Sequence, residues 1–254
     1  MQKDLSVEGG FSVVYFYPSG IVEKKVKLPF KHQLSPVKLD CQGYYLDPFH
    51  YDDVSPTMVV SLSRENTFYS SCEYPFLPDY FGESLEGNSY SISMSRHTPL
   101  TSLGRAERSL LRGLCLNINQ LNLDGIIHGD IKPDNLVYDG EKILLIDFGN
   151  CNFLPSSRYF DFSKVNFDNF FSMSKSYAPP EQFLGKKIEN DIYQTALTCF
   201  SLLTGYVRRD TRDLPSTQEI LSEILGNGSH QAIHYGLHDS PSQRNIEPLI
   251  EYLS

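Results

Sequence analysis

The sequence predicts an α+β protein of two lobes, a small β-rich one over residues 1–94 and a larger helical one over residues 95–254. Three stretches carry that expectation. FSVVYFY and IVEKKVKL flank Pro18, Ser19 and Gly20, and read as two strands joined by a turn. Leu110, Leu111, Leu114, Cys115, Ile118 and Leu121 recur at helical spacing and stop near Gly125. Ile192, Ala196, Cys199, Phe200 and Leu203 do the same before Gly205, a natural helix terminator because glycine accepts left-handed backbone.

The remaining elements follow in order. Residues 31–56 are irregular and rich in turn formers, and VVSLSRENTFYSSC reads as a short strand followed by a helix whose Ser and Asn lower its propensity. Residues 79–96 read as a further mixed or β segment. After the loop HGDIKPDN, the runs LVY and KILLI flank Asp139-Gly140, with Glu141 opening the return strand, a strong hairpin signal. Asp147 falls where that second strand ends.

Composition bounds the function. A chain of 254 residues with 40% apolar and 21% charged content can bury a substantial core. Its net charge of −9 argues against nucleic acid as a ligand, because phosphate backbones select dense Lys and Arg. The five cysteines are scattered and include no CxxC pair, so neither a disulfide framework nor a cysteine-rich zinc site is expected, and a reducing, cytoplasmic setting is. MQKDLSVEGG has no apolar signal core, and no run of about twenty apolar residues marks a transmembrane segment. Non-Sec export into a host cell stays open, because such signals need not resemble a Sec leader.

The chemistry gathers around HGDIKPDN. Asp130 and Asn135 sit on a loop after the long helix, and the hairpin returns Asp147 after them. Asn135 and Asp147 offer hard oxygen ligands suited to Mg²⁺, Asp130 can orient an incoming hydroxyl and accept its proton, and Lys132 can neutralise phosphate oxygens. A lone aspartate in a turn is more often structural. Ordered spacing is what changes the reading.

At these residues the chain resembles the eukaryotic-type serine/threonine protein kinase family, in a compact form with HGD in place of HRD. His128 to Asn135 match the catalytic-loop pattern H-x-D-x-K-x-x-N, and Asp147-Phe148-Gly149 match D-F-G. The resemblance implies a bilobal protein-kinase-like fold, with ATP and Mg²⁺ as cofactors. GGFSVVY resembles a shortened glycine-rich nucleotide loop, which makes Gly9, Gly10 and Val14 nucleotide-binding positions, with Ser12 near the place of another glycine. Val22-Glu23-Lys24 supplies V-x-K for the family's nucleotide lysine. Strand alternation puts Val22, Lys24 and Val26 on one face and favours Lys24, while Lys25 stays open because a one-residue shift reverses the faces. Glu65 is the expected ion-pair partner of that lysine. Tyr177 to Glu181, YAPPE, resembles the A-P-E motif, Asp191 is expected to support the catalytic-loop backbone, and Arg244 in DSPSQR to pair with Glu181.

One position departs from the family. Gly129 stands where many protein kinases carry an arginine that meets a phosphorylated residue, which favours constitutive activity or control by a regulatory protein partner. Ser172, Ser174, Ser176 and Tyr177 remain phosphorylatable hydroxyls. HGDxxxxN also resembles small-molecule kinases of the choline and aminoglycoside type, and the fold can serve as a pseudokinase scaffold. Lys132, YAPPE and Arg244 favour a kinase that transfers the γ-phosphoryl group of ATP to a protein Ser/Thr hydroxyl.

Overall fold

Alternating apolar residues at the start of the chain build an antiparallel sheet. β1 (Leu5–Glu8), β2 (Val13–Phe16) and β3 (Ile21–Lys27) pair in succession, and the turn before β3 closes through the Gly20 N–H donating to Tyr17 O at 3.1 Å. Gly20 has φ 77°, a left-handed conformation that costs glycine no Cβ clash. β4 (Val37–Lys38) pairs with β5 (Tyr44–Tyr45) separately. After helix α1 (Pro56–Ser71), the hairpin β6 (Tyr80–Glu86) and β7 (Ser89–Ser95) completes the sheet order β1-β2-β3-β7-β6. The computed structural model describes residues 5–8, 12–27, 37–38, 44–45, 56–86, 89–157, 174, 176–185, 187–205 and 229–254.

Two compact units result, Met1–His97 with Asp147–Asn150, and Thr98–Ile146 with Cys151–Ser254. The first is β-rich and the second mainly helical, as expected for an α+β chain of this pattern. In the first unit α1 buries Leu62, Glu65, Phe68 and Tyr69. The strand expected at the start of this segment is absent: Val59 and Val60 belong to α1, so packing overrides their local β preference. β1 was not expected, although LSVE alternates and faces β2 from Leu5↔Phe16 to Glu8↔Val13.

In the second unit β8 (Thr98–Pro99) precedes α2 (Arg108–Leu123), whose apolar stripe Leu111, Leu114, Cys115, Ile118 and Leu121 is buried. β9 (Ile126–Ile127), β10 (Leu136–Tyr138), β11 (Ile143–Leu145) and β12 (Asn152–Phe153) form short pairings, β10 with β8 and β11, and β12 with β9. The return strand opens at Ile143 and not at Glu141. Asp139 Oδ1 accepts the N–H groups of Glu141 and Lys142, both at 2.8 Å, which holds those residues in the turn. α3 (Ile188–Thr204) is buried on nearly every side and ends at Gly205 with φ 78°. α4 (Ser229–Gly236) packs against it where Gly236 meets Ala196, and α5 (Glu247–Tyr252) packs on α4 and α2. Among the described residues no helix is long and apolar enough to cross a membrane, and Cys72, Cys115, Cys151 and Cys199 are free thiols.

Candidate active site

Strand register selects the lysine of the β-rich unit. Lys24 lies opposite Val14 on β2 and Ile92 on β7, and its Nζ donates to Glu65 Oε2 and to Asp147 Oδ1, both at 2.6 Å. Lys25 instead lies 3.8 Å from Glu23 Oε1. Burial alone would push the Lys24 ammonium down, but the Asp147 and Glu65 carboxylates hold it above its ordinary value. Burial pushes Glu65 up to about 7, because one ammonium is shared between two carboxylates and Asp147 adds repulsion. The side chain of Asp147 is 40% exposed against 1% for Glu65, so Asp147 is the carboxylate open to solvent.

Asp147 has φ 64°, the one non-glycine residue in the left-handed region among those described. Aspartate tolerates this conformation better than most residues. The turn Phe148–Asn150 is then seated on α1. The Phe148 ring stacks on Phe68 at 3.7 Å between centroids and 9° between planes, Arg64 Nη1 donates to Gly149 O at 3.4 Å, and a Cβ on Gly149 would collide with Ser61 Oγ.

In the helical unit the loop after β9 is held from below by α3. Asp191 Oδ2 accepts the His128 N–H at 2.7 Å and an Asn122 Nδ2 hydrogen at 3.1 Å, and its Oδ1 accepts the Gly129 N–H at 2.9 Å. Burial pushes the Asp191 carboxyl up, opposed by His128 and these donors. His128 is itself wholly buried, 3.2 Å from Ile146 O through Nε2. Above this base, Lys132 Nζ donates to Asp130 Oδ2 at 2.8 Å and Ser174 Oγ at 2.6 Å, while Asn135 Nδ2 donates to Asp130 O at 2.8 Å and Oδ2 at 3.2 Å. Asp130 Oδ1 is buried and has no hydrogen-bond partner among the described residues.

A model of the protein kinase domain matches residues 81–244, more than half of the chain. The chain belongs to the protein kinase family. Curated proteins similar to it include serine/threonine-protein kinase F of Synechocystis sp., 33% identical over 135 residues, which covers 52% of this chain and 26% of the relative. The dual specificity mitogen-activated protein kinase kinase mek-2 of Caenorhabditis elegans is 26% identical over 170 residues, 60% of this chain and 41% of the relative. Serine/threonine-protein kinase PknA of Nostoc sp. is 26% identical over 179 residues, 67% of this chain and 28% of the relative. The chain thus spans between about a quarter and two fifths of the length of these relatives.

Within this kinase chain the structure places Lys24, Glu65 and Asp147 together in the first unit, with Val14 opposite Lys24, and Asp130, Lys132 and Asn135 together in the second. Lys24 and Glu65 precede the stretch that matches the family, so their assignment stands on geometry. Gly9, Gly10 and Ser172 lie outside the described residues. Arg244 forms its ion pair with Glu181, donates from Nε to His238 O at 2.9 Å and lies over the Tyr193 ring at 4.7 Å. A cavity of 420 Å³ opens beside Lys132, lined also by Asp134, Ser174, Tyr177, Ser201 and Gly205. Sequence reasoning missed Gln182 and Gln194, both buried under the Asp130 loop. Gln194 is a polar residue inside an otherwise apolar helix pattern, and Gln182 directly follows YAPPE with no signal of its own.

Proposed function

We propose that this chain is an ATP-dependent serine/threonine protein kinase that transfers the γ-phosphoryl group directly to a protein hydroxyl. The observation that carries the reading is the unpartnered Asp130 Oδ1, buried beside Lys132. In this reading Asp130 orients the acceptor hydroxyl and takes its proton as the oxygen attacks phosphorus. Lys132, held to Asp130 and Ser174, stabilises the charge on the transferred group. Lys24 positions the α and β phosphates, and its tie to Glu65 fixes where its ammonium points. Gly9, Gly10 and Val14 cover the nucleotide. Residues 1–94 would then serve the nucleotide and residues 95–254 the acceptor.

Asp147 and Asn135 are the residues that would hold magnesium, and the chemistry of each suits it. The exposed carboxylate of Asp147 and the amide oxygen of Asn135, whose nitrogen is already committed to Asp130, are hard ligands of the kind Mg²⁺ takes. Among the described residues no cluster of three or more His, Cys, Asp or Glu side chains could hold a metal. Magnesium so held would keep water and phosphate oxygens in its shell and neutralise charge on the phosphate chain.

Lys132, the YAPPE segment and the Arg244–Glu181 ion pair support a protein acceptor over a small molecule, and Ser174 and Tyr177 line the cavity beside Lys132. Incorporation of labelled phosphate into a protein and peptide library, with wild type and Asp130→Ala compared, tests the assignment. The expected result is magnesium-dependent labelling of Ser and Thr that falls by about 10²-fold or more in the variant. Equal labelling by both proteins would remove Asp130 from the chemistry. Labelling confined to soluble metabolites would remove the protein acceptor.

A further inference from the structure

The two peptide groups that bracket Asp130 are both held by one pair of glutamines. Gln194 on α3 accepts the Ile131 N–H through Oε1 at 2.8 Å, and its Nε2 donates to Gln182 Oε1 at 2.9 Å and lies 3.4 Å from Gly129 O. Gln182 Nε2 donates to the same Gly129 O at 3.0 Å. Gly129 O belongs to the peptide before Asp130 and Ile131 N to the peptide after it, so the pair fixes both planes from which the Asp130 side chain projects. Gln182 and Gln194 are 1% and 0% exposed. The amide orientation is set by chemistry, since only an oxygen can accept from Ile131 N–H and only an NH₂ can donate to two carbonyl oxygens.

We infer that Gln182 and Gln194 are positioning residues for Asp130, forming an uncharged clamp that fixes its backbone without a charged or phosphorylated partner. The inference rests on the phosphoryl-transfer reading above and adds how that site is held. Gly129 makes the arrangement available: at φ 81° it turns its carbonyl toward Gln182 and carries no side chain that a phosphate could recruit. Asp191 secures the N–H groups of His128 and Gly129 on one side, and the glutamines complete the hold on the other. Neither amide titrates, so the clamp stays in place wherever the protein is folded.

The experiment compares the full chain with Gln182→Met, Gln194→Met, the double variant and Gln194→Glu. Methionine keeps volume and removes the hydrogen bonds. Each single methionine variant is expected to lose about 10- to 10²-fold in kcat with KM for ATP within about twofold of wild type, since misplacing a reacting group costs rate more than binding. The double variant should be no worse than about the weaker single one, because the pair acts as a unit. Gln194→Glu keeps the acceptor for Ile131 but, once ionised, faces Gln182 Oε1 and Gly129 O without a hydrogen to give. Its kcat relative to wild type should therefore fall as pH rises. Asp130, Asp191 and His128 face the same loop in both proteins, so the ratio of the two profiles isolates position 194. Amide exchange at Ile131 gives a readout that needs no activity, and it should quicken in Gln194→Met while exchange within α3 is unchanged.

Unchanged kcat in Gln194→Met, additive losses in the double variant, or losses that merely follow the melting temperature would overturn the inference. If Gln194→Met does not fold, Gln182→Met and Gln194→Glu decide it by the same criteria. If wild type transfers no phosphate, the functional reading fails, and Ile131 exchange alone decides whether the clamp exists.

Discussion

At the residue scale, a single ammonium divided between two carboxylates gives the β-rich unit a pH signature. Glu65 is raised from 4.5 to about 7 in the folded protein, so folding takes up a proton between those values. Its contribution to stability is fully present below about 4.5 and is lost as pH rises through about 7. Lys24 is also raised, so its contribution holds below 10.5 and is lost only above its folded value. Glu65 alone of the two changes across neutrality. Glu65→Gln should therefore melt with less dependence on pH than wild type between about pH 5 and about pH 8, as thermal scans at the two values would report. Asp147→Asn removes the neighbouring charge that helps to raise Glu65 and accepts the same left-handed φ of 64°. With less repulsion on Glu65, the variant's melting should depend less on pH than that of wild type between about pH 5 and about pH 8, while phosphate transfer falls by about 10²-fold or more. An Asp147→Asn variant whose melting keeps the full pH dependence of wild type would contradict this account of the triad.

At the element scale, the turn after β11 depends on α1 for its conformation. Phe148 is wholly buried and stacked on Phe68, with Tyr69 edge-on at 5.7 Å, so Phe148→Ala should cost about 3–5 kcal/mol by the burial and cavity it forfeits. Phe148→Leu should cost about half as much, and denaturant unfolding with intact m-values measures both. The helices at the centre of the second unit were legible because their apolar residues recur every three to four positions up to Gly125 and Gly205. α1 was harder to read, since Val59-Val60 looks like a strand and the Ser and Asn residues lower helical propensity. What makes it helical is its burial against the sheet and the Phe148 turn, which local propensity does not contain. The Asp139 turn was misjudged by two residues for the same kind of reason, a side chain capping backbone that a two-residue hairpin would have left in the strand.

At the scale of the whole molecule, the charged residues of the candidate site were legible because their types recur in an ordered spacing that packing does not require. The glutamine pair was not, because a neutral amide carries no motif and its meaning lies in which peptides it meets. The Arg244–Glu181 pair belongs to the legible set, and its energetics are asymmetric. Arg244 has a side chain 1% exposed, donates also to His238 O and Glu189 O, and lies on the Tyr193 ring; Glu181 is 22% exposed and can recover water. Removing the carboxylate leaves the guanidinium with carbonyls and an aromatic face. Removing the guanidinium leaves a cavity, two carbonyls without their donor and a carboxylate without its counter-charge. Arg244→Ala should therefore cost about 3–5 kcal/mol and Glu181→Ala less than about half of that, with Arg244→Lys between them because an ammonium cannot serve the carboxylate, the carbonyls and the ring at once. Urea unfolding of the three variants measures the order. Equal losses at the two positions would mean that the pair works as a simple charge contact and that the ring and carbonyls contribute nothing, in which case Arg244→Lys should be indistinguishable from wild type.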